Sequence, residues 1–203
     1  MIRGRPALAI SRRILSSWLL TLIALAGVEA HAEDGRYETV NLDSVRSHAE
    51  FSIKALWFFE VRGHFGKMKG TVRIDHFRSQ AVVDAHIDVN AVRMSNRDYE
   101  QGVRSAEFFD ATRYPDIHFL SESFPLVRLD KGGQLPGMLS MHGSSRPVDF
   151  LIDPATCAHP AIDCPLEASG SIRRSEFGMH SHRRTLGDQV ELAFSIFVMP
   201  APS

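Results

Sequence analysis

Residues 83–89 read Val-Asp-Ala-His-Ile-Asp-Val, and this strict alternation of apolar and polar side chains decides the fold. Successive side chains of a β-strand point to opposite faces of the sheet. The stretch is therefore predicted to be a strand with one buried and one solvated face. Strands of this kind are typical of antiparallel sheets, because strands of parallel sheets are usually buried on both faces.

The same period of two recurs on both sides of this stretch. It is found at residues 48–54, 67–75, 139–142 and 190–198. Together with the turn signals between these segments, the pattern indicates about eight strands, a number that can close into a barrel. Closure removes exposed strand edges. We therefore predict an all-β fold, an antiparallel barrel of about eight strands.

One internal segment breaks the alternation. Residues 96–105 are polar and show no period of two, which predicts a short helix or structured loop capped by Asn96. One or two short helices are expected in the whole chain. No repeat or linker divides the chain, so one domain is the economical interpretation.

The N-terminal residues form a leader of a different kind. Four arginines (Arg3, Arg5, Arg12 and Arg13) precede a largely apolar run over residues 14–27. Small residues follow at the spacing that a signal peptidase recognises, so cleavage is expected near Ala30 or Ala32. This order predicts a signal peptide over residues 1–32 and export to the periplasm, with an uncleaved anchor as the alternative. The exported domain is expected to span residues 33–203.

Composition narrows the choice of partners. The 203 residues carry 23 basic and 24 acidic side chains, so no attraction to nucleic acid is predicted. The two cysteines, Cys157 and Cys164, are expected to form a disulfide in an oxidising compartment. The alternative is a metal site that uses both thiolates and His159, although metal ligand sets usually hold more residues.

The inward face of the predicted barrel is apolar. Phe lines a dry tunnel without needing a hydrogen-bond partner, and Met adapts to irregular apolar shapes. From the pattern alone, a lipid-filled lumen and a solid core are equally compatible with this face. The residues predicted to line the lumen are Phe51, Ile53, Phe65, Met68, Val72, Ile74, Ile87, Val89, Phe108, Phe109, Ile117, Phe119, Leu139, Met141, Phe177 and Leu192.

Three adjacent aromatic residues end one predicted strand. Trp57, Phe58 and Phe59 cannot all point inward, so at least one is expected to be exposed. Our hypothesis is that they form the lip of the barrel, where lipid is admitted or a membrane is touched transiently. An aromatic plug within the turn is the alternative.

Seven segments of the predicted exported domain carry motifs that are weak one by one. They are 43–51 (DSVRSHAEF), 61–70 (VRGHFGKMKG), 96–98 (NRD), 103–110 (VRSAEFFD), 114–119 (YPDIHF), 141–148 (MHGSSRPV) and 172–179 (IRRSEFGM). Their order and spacing, along nearly the whole predicted exported domain, resemble those of the YceI family of exported polyisoprenoid-binding proteins.

This resemblance implies an elongated lipocalin-like barrel with a bound isoprenoid chain, such as a polyprenyl or quinone tail, in its lumen. No cofactor or catalytic residue is implied, and a homodimer is left open. The chain departs from the family pattern at Arg46 and Ala55, where His is frequent. Its cysteine-bearing segment from Asp153 to Pro165 is also longer than the usual turn.

Two other classes of function compete with lipid binding. An exported hydrolase or metal-dependent enzyme on a barrel scaffold is one, and a structural barrel with a solid core is the other. No nucleophile elbow or metalloprotease helix motif is present in the sequence. His180 and His182 are the pair that most resembles metal ligands, but two histidines without a third ligand predict no metal site.

Overall fold

The computed structural model describes residues 37–200, so the signal peptide predicted at 1–32 lies outside the described residues. Within this range the chain forms twelve β-strands and two short α-helices. The strands are β1 (Tyr37–Asn41), β2 (His48–Ala55), β3 (Phe59–Phe65), β4 (Met68–Asp75), β5 (Gln80–Asp88), β6 (Val92–Met94), β7 (Asp116–Ser121), β8 (Phe124–Pro125), β9 (Gly133–Met141), β10 (Ser144–Ile152), β11 (Leu166–Arg173) and β12 (Leu186–Ile196).

All strands belong to one antiparallel sheet. Hydrogen-bonded neighbours follow the order β1-β4-β5-β7-β9-β10-β11-β12-β2-β3-β6, and β8 adds a short pairing to β5. The alternation that predicted β5 is reproduced as buried apolar residues separated by more exposed polar ones. The all-β, lipocalin-like class is thus confirmed.

The predicted number of eight strands is too low. Three of the additional strands, β1, β6 and β8, have five, three and two residues. Such short segments cannot display a period of two clearly enough to be recognised. The sheet is also a curled half-barrel, since its order of pairing begins at β1 and ends at β6.

The backbone of Leu42 connects strands from the two halves of the curled sheet. The amide of Leu42, directly after β1, donates to Gly70 O in β4 at 2.9 Å. Leu42 also forms a β-bridge with Val198, directly after β12. The chain therefore joins β4 to the end of β12, and the buried Leu42 side chain helps to close that end of the interior.

The two helices are α1 (Arg97–Arg104) and α2 (Val127–Lys131). The predicted helix capped by Asn96 is confirmed, because the Asn96 side chain accepts a hydrogen bond from Asp98 N at 2.7 Å. Such a cap satisfies a backbone donor that has no partner within the helix. Across residues 37–200, neither helix has the length and apolar content that crossing a membrane requires.

The predicted disulfide is also confirmed. Cys157 and Cys164 are bonded, with a sequence separation of 7 residues. The chain-entropy model assigns about 2.5 kcal/mol of stabilisation to a loop of this length. The bond closes the segment between β10 and β11, away from the side chains that line the interior cavity described below.

Candidate functional site

A cavity of about 410 Å³ lies inside the curled sheet. Side chains from ten of the twelve strands line it, together with residues of α1 and of the loop before β12. Its volume falls within the range of small-molecule binding sites. Nearly all of its lining is apolar, so the cavity suits an apolar guest.

Twelve of the sixteen residues predicted to line the lumen do line this cavity. They are Phe51, Ile53, Phe65, Met68, Ile87, Phe108, Phe109, Ile117, Phe119, Leu139, Met141 and Leu192. The structure therefore brings residues from distant parts of the sequence to one surface, as the alternation required.

The other four predicted residues lie outside the cavity lining. Val89 and Phe177 are fully buried in the 3-10 turns that follow β5 and β11. Val72 and Ile74 face the interior, but Ile74 lies in a cross-strand row with Ala81 and the fully buried Phe124. Side chains fill the interior at that end, so the cavity occupies only part of it.

Lining residues along two strands are not fully covered by protein. Ile53 on β2 and Val190, Leu192 and Phe194 on β12 face the cavity, yet each is only half-buried. On β9, by contrast, Leu135, Leu139 and Met141 are buried. Apolar side chains that face inward and are still only half-buried border space that no protein atom fills, so the unfilled volume runs along β2 and β12.

Two groups of phenylalanines form part of the wall. Phe150 makes edge contacts with Phe119 and Phe194 at centroid distances of 5.1 and 5.0 Å. On the other side, Phe109 lies 6.3 Å from Phe51 and 5.7 Å from Phe65. Edge-to-face contacts of this kind fix ring positions without polar partners.

Glycines in the strands let two of these rings lie close to the sheet. A Cβ at Gly137 would come within 2.5 Å of the Phe119 ring, and one at Gly170 within 2.5 Å of the Phe150 ring. Only glycine permits such an approach of ring to backbone. Because the rings lie directly against the strands, they extend less far into the interior and leave more of its volume to the cavity.

Four polar residues of the lining come from α1 and from the loop before β12, and we call this part of the cavity the mouth (Asp98, Tyr99, His182 and Thr185). Asp98 and Tyr99 lie on α1, whereas His182 and Thr185 lie in the loop before β12. His182 connects the loop before β12 to the segment that follows α1, because its Nε2 lies 2.9 Å from Glu107 Oε2. An apolar cavity with several polar groups at its mouth suits an amphipathic guest.

Arg174 holds the loop that forms half of the mouth. The residue is buried, and its guanidinium donates to the carbonyls of Met179, Ser181 and Gly187 at 2.7–2.9 Å and to Leu186 O at 3.4 Å. Carbonyl oxygens take these donors because the loop wraps around the guanidinium.

The electrostatics around Arg174 follow from its burial. Desolvation lowers the pKa of the Arg174 guanidinium, although the charge of Asp188 opposes this effect. For Asp188, desolvation raises the pKa, but hydrogen bonds from Ser175 outweigh it and leave the pKa below its usual value. A guanidinium is always charged in proteins, and the four carbonyl contacts make Arg174 a positioning residue for the mouth.

The aromatic residues at 57–59 are strongly exposed. Trp57 is 89% and Phe58 76% exposed in the turn between β2 and β3. Leu56 and Trp57 have positive φ values of 48° and 71°, a conformation that costs energy for non-glycine residues. The neighbouring Ala55 lines the cavity. The turn thus presents these rings to solvent beside the cavity rather than burying them as a plug.

Other residues singled out from the sequence lie elsewhere. His180 accepts from Arg183, whereas His182 pairs with Glu107, so the two imidazoles have different partners. Of the two departures from the family pattern, Ala55 lines the cavity. Arg46 instead pairs with Asp43 at 2.8 Å and covers the ring of Phe197.

Sequence reasoning missed part of the lining. Val190, Phe194 and Ile196 carry the same alternation that identified Leu192, so a signal for them existed. Tyr99 and Val103 are four residues apart on one face of the otherwise polar α1, and only the docking of α1 on the sheet places that face at the cavity.

Comparisons with known proteins agree with this architecture. Residues 40–198 match the YceI-like domain family. A UPF0312 protein of Pectobacterium carotovorum is 25% identical over 196 residues, which cover 92% of this chain and 96% of the relative.

Two solved structures share the fold. Burkholderia cenocepacia BcnA is 20% identical, with a TM-score of 0.65 over 78% of this chain and 99% of its own. A polyisoprenoid binding domain from Saccharophagus degradans, implicated in plant cell wall breakdown, is 12% identical. Its TM-score is 0.59 over 80% of this chain and 97% of its own.

Proposed function

This chain belongs to the YceI-like domain family, and from that premise we propose that it is a periplasmic carrier that holds a polyisoprenoid or a similar long apolar lipid, for example a quinone tail, inside the curled sheet. The observation that carries the proposal is the half-buried apolar lining along β2 and β12, which faces an unfilled volume. A solid structural core would leave no such volume. The fold shared with a polyisoprenoid binding domain supports the same ligand class.

Energetics favour a chain-like guest. Burial of each methylene group contributes about 0.8 kcal/mol, so roughly ten buried carbons supply about 8 kcal/mol before ordering costs. That free energy corresponds to roughly micromolar binding. Few polar contacts are then needed in the interior, and the side chains at the mouth are placed to meet a head group.

Two features support the periplasmic part of the proposal. The leader predicted at 1–32 is of the exported kind. The Cys157–Cys164 disulfide belongs to the oxidising environment that exported proteins meet.

Native mass spectrometry tests the lipid proposal directly. The protein is expressed with its leader, recovered from the periplasm without detergent, and weighed intact and after organic extraction. We expect a discrete mass increment that extraction removes and that matches an isoprenoid lipid. A protein that carries no lipid and takes up none from vesicles containing ubiquinone would contradict the proposal and indicate a solid core.

The exposed aromatic residues predict a second result, on the rate of loading. Replacing Trp57 and Phe58 with Ser is expected to slow lipid uptake from vesicles about tenfold, because aromatic side chains are well suited to a membrane interface. The final amount bound should not change, since neither residue lines the cavity. Uptake is measured by transfer of a fluorescent isoprenoid from labelled vesicles.

Phe77→Ser is the matched control for this experiment. Phe77 is 84% exposed, but it lies in the turn between β4 and β5, and no residue of that turn lines the cavity. The control should load at the wild-type rate. Equal uptake rates for the double variant and the wild type would remove the assigned role of the lip.

A further inference from the structure

Two histidines and two aspartates meet on the outer face of the sheet, away from the cavity lining. Asp84 and His86 lie on β5, and Asp116 and His118 lie on β7. His86 and His118 are direct cross-strand partners, and their rings stack at a centroid distance of 4.3 Å. Because β5 and β7 are adjacent paired strands, this group is held on a rigid surface.

Three potential ligand atoms converge within this group. Asp84 Oδ1 lies 2.8 Å from His118 Nε2 and 3.3 Å from His86 Nε2. Ligand atoms of all three residues lie within 4.8 Å of one another. A tetrahedral ion with bonds of about 2.1 Å holds its ligands about 3.4 Å apart, so only small movements would be needed to bind one.

The fourth residue orients one of the histidines. His86 Nδ1 lies 2.8 Å from Asp116 Oδ2. A carboxylate only accepts hydrogen bonds, so Nδ1 of His86 carries the proton in that contact. In the neutral imidazole, Nε2 then presents its lone pair to Asp84 Oδ1, which is also an acceptor. A cation between these two acceptors would be bound by both. By the same rule His118 Nε2 donates to Asp84 Oδ1 at 2.8 Å, so the proton of His118 must move to Nδ1 when Nε2 binds the ion.

The arrangement matches that of known metal sites, in which a carboxylate fixes the tautomer of a ligating histidine through its second nitrogen. The side chains are also accessible, with exposures of 33–46% for Asp84, His86 and His118. Lys69 is the cross-strand neighbour of His86 on β4, and the two carboxylates offset its positive charge.

A shallow depression adjoins the group. Asp116 and His118 line it together with Ser140, Ser144 and Ser145. A metal ion bound by three protein ligands keeps at least one coordination position for water or another oxygen ligand. The depression has room for such a ligand beside His118.

We propose that Asp84, His86 and His118 form a surface binding site for a divalent transition metal ion of the Zn²⁺, Ni²⁺ or Cu²⁺ class, with Asp116 orienting His86. Nitrogen-rich ligand sets with one carboxylate suit these ions, whereas Mg²⁺ and Ca²⁺ take oxygen ligands. Sequence reasoning predicted no metal site, because the ligands come from two strands about thirty positions apart. The site is independent of the lipid cavity.

The test uses untagged protein titrated with ZnCl₂ in a calorimeter. We expect one Zn²⁺ per chain, and a melting temperature that rises when Zn²⁺ is present. His86→Ala and His118→Ala should each abolish this binding, whereas Asp116→Ala should weaken it about 10- to 100-fold, as removal of orienting carboxylates typically does. Lipid content should be the same in all variants.

His76→Ala is the matched control, since His76 is another exposed histidine paired with a carboxylate, Glu38 at 2.8 Å. It should keep wild-type Zn²⁺ affinity. Melting curves without metal show whether each variant is folded. The proposal is overturned if folded wild-type protein binds no Zn²⁺, or if the His86 and His118 variants bind it as tightly as the control.

Discussion

Leu192→Trp is expected to lower affinity for an isoprenoid chain about 100-fold while leaving the protein folded. Leu192 lies on β12 between Phe51 and Gly170 of the neighbouring strands, and its half-buried side chain faces the unfilled volume. A larger side chain there occupies space that the lipid would use. Displacing three or four methylene groups at about 0.8 kcal/mol each removes about 3 kcal/mol, or roughly a factor of 100.

Ala193→Trp provides the matched control. Ala193 is the next residue on the same strand, but it is exposed on the outer face. The same indole placed there should change affinity less than twofold. Binding is measured with a fluorescent farnesyl probe, and circular dichroism melts confirm folding. If the Leu192 variant is folded and binds the probe like the Ala193 variant, the guest does not lie along β12.

Arg174→Ala is expected to lower the free energy of unfolding by about 3–5 kcal/mol. The change leaves carbonyl oxygens of Met179, Ser181 and Gly187 without their charged donor inside the protein. Hydrogen bonds to charged groups contribute about 1.5–3 kcal/mol each, and an unsatisfied buried acceptor adds a penalty. For a domain of this size, the loss corresponds to a fall in melting temperature of about 10 °C.

Arg173→Ala separates the loss of Arg174 from the loss of any arginine. The Arg173 side chain is exposed and lies 4.0 Å from Glu176. Exposed pairs contribute little, so this variant should lose less than about 1 kcal/mol. Urea denaturation of both variants provides the measurement. Equal stabilities would show that the buried guanidinium does not hold the loop at the mouth.

The structure gives a physical reason for two of the motifs behind the family resemblance. Within 172–179, Arg174 holds the following loop, Phe177 is fully buried and Met179 lines the cavity. Within 141–148, His142 bonds Phe177 O at 2.8 Å and Arg146 bonds Glu176 O at 3.1 Å. The two motifs thus form one hydrogen-bonded unit near the mouth.

The sequence by itself determined which faces of the main strands are apolar. Residues such as Ile87, Ile117 and Leu192 were identified without coordinates, because side-chain direction in a strand follows directly from sequence position. The cap of α1 and the disulfide were equally local, since each depends on residues close together in the chain.

Only the tertiary structure decided how much of the interior is filled. Val72 and Ile74 follow the same alternation as Leu192, yet the row of side chains leading to Phe124 fills their end of the sheet. Tyr99 lies at the mouth because α1 docks on the sheet. His86 lies beside His118 because of the register between β5 and β7. The period of two in the sequence predicts which way each side chain points. The volume left empty in the interior, and the approach of metal-ligating side chains to one another, depend on how separate segments pack in space.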